Sequence, residues 1–318
     1  MTSITSPRLP EFIVGGAPKC GTTSLCDQLA AHPQIAFSRP KEPSFFSRDD
    51  IAAYPIFFHE RFDDWASFAW ASRERDLLEQ YARCFAHAEP GQLLGEGSPS
   101  YLRSERAARR IARLAPGTRW IFILRHPTDR AYSHYWHKVS RNQAFMSFEH
   151  HLKFEQQNTL LYGFYAEPIA RIVELFGADR VHVVAFEQMR RDPQATLRRI
   201  ESFLGIEERA PTADAVRTNA TRYPRSRLLQ RAIGTMGRYV DATANVVATE
   251  TTPTDRPAWS RVGAGLVNRV TRLNLRAGSP PPMDPSTRAK LDALYTRENA
   301  QLSTLTGVDF ASLWGLDV

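Results

Sequence analysis

The sequence predicts an α/β fold, a three-layer sandwich with a central parallel sheet flanked by helices. Two observations predict it. Strand-like apolar runs and helix-like segments alternate through the first 210 of the 318 residues. Apolar residues make up 42% of the chain, enough for a sizeable core and outside the range of disordered sequences. A single domain over residues 1–318 is expected, with two departures from the strand–helix rhythm.

Phe12-Ile13-Val14 reads as the first strand and ends at Gly15-Gly16. A helix with Leu25 and Leu29 on one face follows, and His32-Pro33 stops it. Residues 50–90 are dense in aromatics (Tyr54, Phe57, Phe58, Phe62, Trp65, Phe68, Trp70, Tyr81, Phe85) and read as helices inserted between strands. Residues 120–124 form the second strand, leading through Arg125-His126-Pro127 into a helix striped by Tyr132, Trp136 and Val139. Residues 181–186 form the third strand. Asp192-Pro193 then supplies an N-cap and an N1 proline for a helix that buries Leu197, Ile200, Phe203 and Leu204 before Gly205. Residues 224–282, rich in Arg, Thr and Pro, read as an irregular excursion or flap. Asp284-Pro285 repeats the start signal for a last helix carrying Leu291, Leu294, Tyr295 and Leu302.

Composition narrows the function. Lys and Arg total 41 against 34 Asp and Glu, a formal charge of +7. Only five of the 41 are lysine, so most of the surplus is an arginine bias of composition; the remainder favours an anionic ligand. The longest strongly apolar run spans five residues, far short of the ~18 that a spanning helix needs. The opening MTSITSPRLPEF has no basic stretch followed by an apolar one, so a secretory signal is not expected. Three cysteines (Cys20, Cys26, Cys84) form neither a disulfide framework nor a zinc spacing, and a cytoplasmic setting is expected.

The loop Gly15-Gly16-Ala17-Pro18-Lys19-Cys20-Gly21-Thr22-Thr23-Ser24 joins the first strand to the first helix. Glycines permit close backbone approach, and a helix start aims N–H groups and the positive end of its dipole at an anion. Thr22, Thr23 and Ser24 add hydroxyls and Lys19 a point charge. A nucleotide-hydrolysing loop has its Lys directly before a Mg²⁺-binding Ser/Thr. Here Lys19 lies three residues before Thr22, and Arg125 follows the second strand where a metal-holding Asp would stand. The anion is therefore expected to be neutralised by protein cations, with no metal. A second anion motif, Arg125-His126-Pro127-Thr128-Asp129-Arg130-Ala131-Tyr132-Ser133-His134-Tyr135, leaves the carboxyl end of a strand, where ligands of open α/β sheets bind. Arg125 offers a planar donor fork and Ser133 a hydroxyl for one phosphate.

With both motifs, the chain resembles the sulfotransferases that use 3′-phosphoadenosine 5′-phosphosulfate (PAPS), particularly the heparan-sulfate-type branch and its bacterial relatives. The resemblance covers about residues 10–223 and 283–314. It implies a P-loop-like fold, a 5′-phosphosulfate loop at 15–24 whose contacts are Pro18, Lys19, Cys20, Gly21, Thr22, Thr23 and Ser24, and a 3′-phosphate site at Arg125 and Ser133. Lys41-Glu42-Pro43-Ser44-Phe45-Phe46 is similar to the family's Glu-x-x-Phe-Phe stretch. That likeness implies Glu42 as general base, with Lys19 stabilising the leaving phosphate and Lys41 contacting the sulfuryl oxygens or the acceptor.

Gly95-Glu96-Gly97-Ser98-Pro99-Ser100-Tyr101 resembles the family's Glu-Lys-[Ser/Thr]-Pro-x-Tyr segment. It implies an acceptor site bordered by Phe46, Ser98 and Tyr101. Gly97 stands where the family has lysine, and Lys41 is the candidate replacement cation. Asn219-Ala220-Thr221-Arg222-Tyr223 resembles the Asn-x-Thr-Lys segment and implies cofactor contacts from Arg222 and Tyr223. Arg225 and Arg276 are candidates for a cation that heparan-sulfate members carry in their Cys-bounded loop. The expected partners are PAPS and a hydroxylated small-molecule, glycan or glycolipid acceptor, with adenosine 3′,5′-bisphosphate as product. Two rivals stand beside this reading: a P-loop-type nucleotide kinase, and a non-enzymatic polyanion or nucleic-acid binder, for which no reading module is recognisable. His126, His134 and His137 lack a third partner at metal-ligand spacing and read as helix surface, His126 being also a candidate cofactor contact.

Overall fold

The computed structural model describes residues 8–47, 70–209, 222–235 and 265–315, apart from positions 142, 145, 155, 227, 234, 266, 268 and 279. The core is a five-stranded sheet of β1 (Phe12–Gly16), β2 (Ile35–Phe37), β3 (Leu93–Glu96), β4 (Arg119–Leu124) and β5 (Val181–Ala185) in the order β2-β3-β1-β4-β5. All four pairings are parallel. The parallel α/β sandwich expected from the sequence is what the chain forms. β1 and, after its first residue Arg119, β4 carry no polar side chain and are buried on both faces, as a parallel sheet covered by helices requires. Strands β2 and β3 extend the sheet on the far side of β1 and are three and four residues long, too short to register as runs in the sequence.

The strand order places the site. From β1 the chain goes to the β2 edge, returns through β3, and crosses β1 to reach β4 and β5. The reversal puts the topological switch point between β1 and β4, at whose carboxyl ends the first loop and Arg125 emerge. Helix α1 (Thr22–Ala30) follows β1, α2 (Trp70–Ala82) precedes β3, and α3 (Glu105–Leu114) leads into β4. After β4 come α4 (Pro127–Ser140), α5 (Phe148–Phe154), α6 (Gln156–Thr159) and α7 (Ala166–Phe176). After β5 come α8 (Phe186–Arg191) and α9 (Pro193–Leu204). The Asp192 carboxylate caps α9 by accepting from Ala195 N at 2.9 Å, and Gly205 ends it at φ 67°.

Two expectations change. The last helix, α10 (Pro285–Glu298), stops before Leu302, which lies on a separate helix, α11 (Leu302–Thr306), followed by α12 (Phe310–Trp314). The break falls at buried Asn299, whose side chain accepts from Tyr165 N at 2.7 Å and donates to Gly163 O at 2.9 Å. The 224–282 stretch is bounded by paired strands, β6 (Arg222–Pro224) and β7 (Leu275–Ala277), antiparallel with Tyr223 opposite Arg276. Within residues 50–90, Tyr81 and Phe85 are buried, while Tyr54, Phe57, Phe58, Phe62, Trp65 and Phe68 lie outside the described residues.

The chain divides into two compact units. One comprises 1–130, 162–217 and 292–318 and holds the whole parallel sheet; the other comprises 131–161 and 218–291 and holds the β6–β7 ribbon. No helix among the described residues is long and apolar enough to cross a membrane.

Candidate active site

The first loop is pinned to the sheet before it turns. Ala17 N donates to Ile123 O of β4 at 2.9 Å, and Cys20 N returns to Ala17 O at 3.2 Å. Gly15 and Gly16 are required by packing: a Cβ on Gly15 would lie 2.8 Å from the Trp120 and Phe122 rings, and one on Gly16 2.8 Å from Leu102 Cβ. Lys19 and Gly21 both take left-handed backbone, φ 71° and 94°. For Lys19 this costs on the order of 1–3 kcal/mol, a cost typical of loops shaped for a ligand.

Gly21 caps α1 without a side-chain hydrogen bond, and no acid stands in the first turn. The N–H groups of Thr22, Thr23 and Ser24 therefore have no carbonyl one turn back within the helix. They and the helix dipole make a site suited to an anion. Thr22 is buried, Thr23 exposed and Ser24 half-buried. Cys20 is fully buried, and burial pushes its thiol up to about 11, the nearby Arg130 charge only partly opposing. Cys20 is therefore a neutral packing thiol in the loop floor.

Lys41 joins this loop to Glu42. The Lys41 ammonium donates to Thr23 Oγ1 at 3.0 Å and lies 3.2 Å from Glu42 Oε1. Glu42 is exposed and Lys41 half-buried, so both groups face accessible space beside the helix start. Gly97 explains why Lys41 has this place. A Cβ on Gly97 would stand 2.5 Å from the Cys26 sulfur on α1, so this backbone has no room for a side chain there. Gly97 N instead donates to Lys41 O at 3.2 Å, with Ser38 Oγ donating to the same carbonyl at 3.2 Å.

The sequence expectation puts Phe46, Ser98 and Tyr101 around an acceptor. All three are fully buried beneath the Glu42 loop. Ser98 Oγ accepts from Ser44 N at 3.0 Å and Tyr101 Oη from Phe46 N at 3.0 Å, while the Phe46 ring packs edge-on against Tyr81 and Tyr101. In this arrangement they hold the loop from below.

Arg125 is half-buried at the end of β4, its guanidinium 5.1 Å above the Phe186 ring. Two residues that carry no local sequence signal organise this corner. Tyr165 donates to Arg125 O at 2.9 Å, and its hydroxyl lies 3.8 Å from Cys20 Sγ, so one phenol touches both anion motifs. Glu187 accepts from His126 N and from Trp314 Nε1, each at 3.2 Å, tying the start of α4 to the C-terminal helix. His126 also faces Asp292 at 3.9 Å. In the other unit, Ser133 is half-buried on α4, and the buried Tyr223 ring meets the Trp136 ring edge-on at 5.6 Å. Arg225 and Arg276 are exposed there; Arg222 lies in β6, with its side chain outside the described residues. Among the described residues, no group of three or more His, Cys, Asp or Glu is placed to hold a metal.

A model described as the sulfotransferase family matches residues 10–210. Human bifunctional heparan sulfate N-deacetylase/N-sulfotransferase 3 is 30% identical over 220 residues, covering 64% of this chain and 23% of that protein. Mouse heparan sulfate glucosamine 3-O-sulfotransferase 3B1 is 29% identical over 210 residues, covering 63% and 47%. The chain thus spans less than half the length of these curated relatives. A solved sulfotransferase from Alicyclobacillus acidocaldarius superposes with a TM-score of 0.63 at 25% identity, covering 97% of this chain and 99% of that one.

Proposed function

We propose, from the premise that the chain belongs to the sulfotransferase family, that it moves a sulfuryl group from PAPS to a hydroxyl of a small-molecule, glycan or glycolipid acceptor. The observation that carries this reading is the Lys41 ammonium, 3.0 Å from the Thr23 hydroxyl and 3.2 Å from the Glu42 carboxylate. It couples a carboxylate suited to proton transfer with a loop suited to an anion.

Residue chemistry supports the donor as well. An uncapped helix start with no acid in its first turn, preceded by Lys19, fits a phosphosulfate. When bound, PAPS supplies an activated sulfuryl group whose leaving group is adenosine 3′,5′-bisphosphate. Glu42 accepts the proton released as the acceptor oxygen bonds to sulfur. Lys19 and the α1 N–H groups take up the charge that develops on the departing 5′-phosphate oxygen. Lys41 neutralises sulfuryl oxygens and keeps the Glu42 carboxylate turned toward the acceptor. Arg125, at the end of β4, serves the 3′-phosphate. Protein cations do the neutralising, so no metal is invoked.

The test is thermal stabilisation by adenosine 3′,5′-bisphosphate. At a hundredfold excess over its dissociation constant, a ligand of the native state raises Tm by about 4 °C in a chain of this size. Lys19→Ala and Arg125→Ala are expected to lose most of that shift. A wild-type protein that shows none, or that is stabilised by ATP with Mg²⁺ in its place, would overturn the donor assignment.

A further inference from the structure

The two anion motifs meet beneath the surface at a side chain that is itself fully buried. Tyr165, the residue before α7, donates its hydroxyl proton to Arg125 O at 2.9 Å. On its other side the same oxygen meets Cys20 Sγ of the first loop at 3.8 Å. The loop and β4 are already tied by backbone, Ala17 N to Ile123 O at 2.9 Å. Tyr165 ties the same two segments again, further out, at Cys20 and Arg125.

The bond to Arg125 O is half of a grip on one peptide unit. The N–H of that unit belongs to His126 and donates to Glu187 Oε1 at 3.2 Å. A peptide is planar, so holding its carbonyl and its N–H fixes the direction in which the chain leaves β4, and with it the root of the Arg125 side chain. Tyr165 is in turn anchored from behind. Asn299 Oδ1 accepts from Tyr165 N at 2.7 Å and from Ala166 N at 3.2 Å, and Asn299 Nδ2 donates to Gly163 O at 2.9 Å. A Cβ on Gly163 would stand 2.5 Å from the Tyr295 ring, so the segment entering Tyr165 lies directly against α10. The Tyr165 ring leans on the Trp314 ring with centroids 6.0 Å apart, and Trp314 Nε1 donates to Glu187 Oε2 at 3.2 Å. Burial holds the phenol well above the ordinary tyrosine range, so its proton stays on at any working pH.

We propose that Tyr165 is a positioning residue for the donor: its hydroxyl sets the distance between the first loop and Arg125, so that the site selects a nucleotide carrying both a 5′- and a 3′-phosphate over one carrying a single phosphate. This rests on the reading that the first loop takes the 5′ group and Arg125 the 3′-phosphate. A ligand with two anchors gains from both only where the anchors already stand at its own spacing; otherwise the second contact is offset by the cost of ordering a segment. A nucleotide with one phosphate uses one anchor and is indifferent to the spacing.

Tyr165→Phe keeps the ring and removes the hydroxyl. In calorimetric titration its Kd for adenosine 3′,5′-bisphosphate is expected to rise about tenfold, the upper end of what one hydrogen bond contributes. Its Kd for adenosine 5′-monophosphate is expected to stay within about twofold of wild type. A purely structural role would weaken both ligands alike or neither, and either result overturns the proposal. Amide hydrogen exchange without nucleotide separates the proposal from the donor reading. In Tyr165→Phe, exchange at His126 and Cys20 is expected to be about tenfold faster, with Ile13 and Val14 unchanged. Unchanged exchange at His126 overturns the proposal whatever the protein binds. A wild type that binds no bisphosphate overturns the donor reading and the nucleotide selection with it, and faster exchange at His126 would then still show the geometric hold. Should Tyr165→Phe also speed exchange at Ile13 and Val14, and so be destabilised throughout, Cys20→Ala, which removes the other contact of the phenol, decides: an unchanged ratio of the two dissociation constants overturns the proposal.

Discussion

The Lys41 ammonium donates to the Thr23 hydroxyl over 3.0 Å, although the rest of α1 and all of β2 lie between the two residues in the chain. The same ammonium pairs with Glu42 at 3.2 Å. At this exposure the ion pair is worth roughly 0–1 kcal/mol. Its value is therefore geometric, holding a cation and a carboxylate beside the helix start.

Glu42→Gln is expected to lower kcat about 10²–10⁴-fold, the usual contribution of a general base, and to leave adenosine 3′,5′-bisphosphate binding within about twofold. Lys41→Ala is expected to lower kcat by about 10²-fold with little change in Tm. Steady-state kinetics beside a bisphosphate titration check both. A Lys41→Ala protein with full turnover would remove Lys41 from the chemistry.

Gly97 should resist even a methyl group. Because its Cβ would stand 2.5 Å from Cys26 Sγ within the core, Gly97→Ala is expected to cost about 1–3 kcal/mol in urea unfolding. Combining it with Cys26→Ala removes the colliding sulfur and is expected to restore part of that loss. Strict additivity of the two changes in a double-mutant cycle would show that the contact does not set the choice of glycine.

The cysteines are expected to be silent in the native protein. Cys20 and Cys84 are pushed up by burial to about 11 and about 12, and Cys26 is shifted in the same direction. A thiol near 11 is ionised to about one part in a thousand at pH 8. Iodoacetamide at pH 8 should therefore label the unfolded chain orders of magnitude faster than the folded one. Rapid native labelling of Cys20 with loss of function would contradict its packing role.

Glu96 should imprint a pH dependence on stability. Its carboxyl rises from 4.5 to about 7 on folding, so the folded state binds its proton more tightly. The associated stability is fully present below pH 4.5 and is lost as pH rises through 7, a change of about 3 kcal/mol. Stability in urea, taken as wild type minus Glu96→Gln, is therefore expected to decline by that order between pH 4.5 and 8. A flat difference would mean that Glu96 titrates normally.

Much of this protein was readable locally. The runs at 12–14, 120–124 and 181–186 became β1, β4 and β5, save that Phe186 opens α8, and Asp192-Pro193 became the cap and first residue of α9. The two loops suited to anions also follow their strands as the sequence implied. These features depend on neighbours within a few residues: apolar continuity, a capping carboxylate, a proline at a helix start. The remainder depends on which elements lie side by side. The short strands β2 and β3 persist through the sheet they join. The break after Glu298 answers to Asn299 reaching Tyr165 and Gly163, and the space at Gly97 is taken by Cys26. Phe46, Ser98 and Tyr101 were legible as one neighbourhood, but their burial beneath the Glu42 loop, around Glu96, follows from the packing of α2 and β3 under it. Local sequence specifies hydrogen bonds closed within a turn; bonds spanning fifty residues or more exist only once the strand order has brought their ends together.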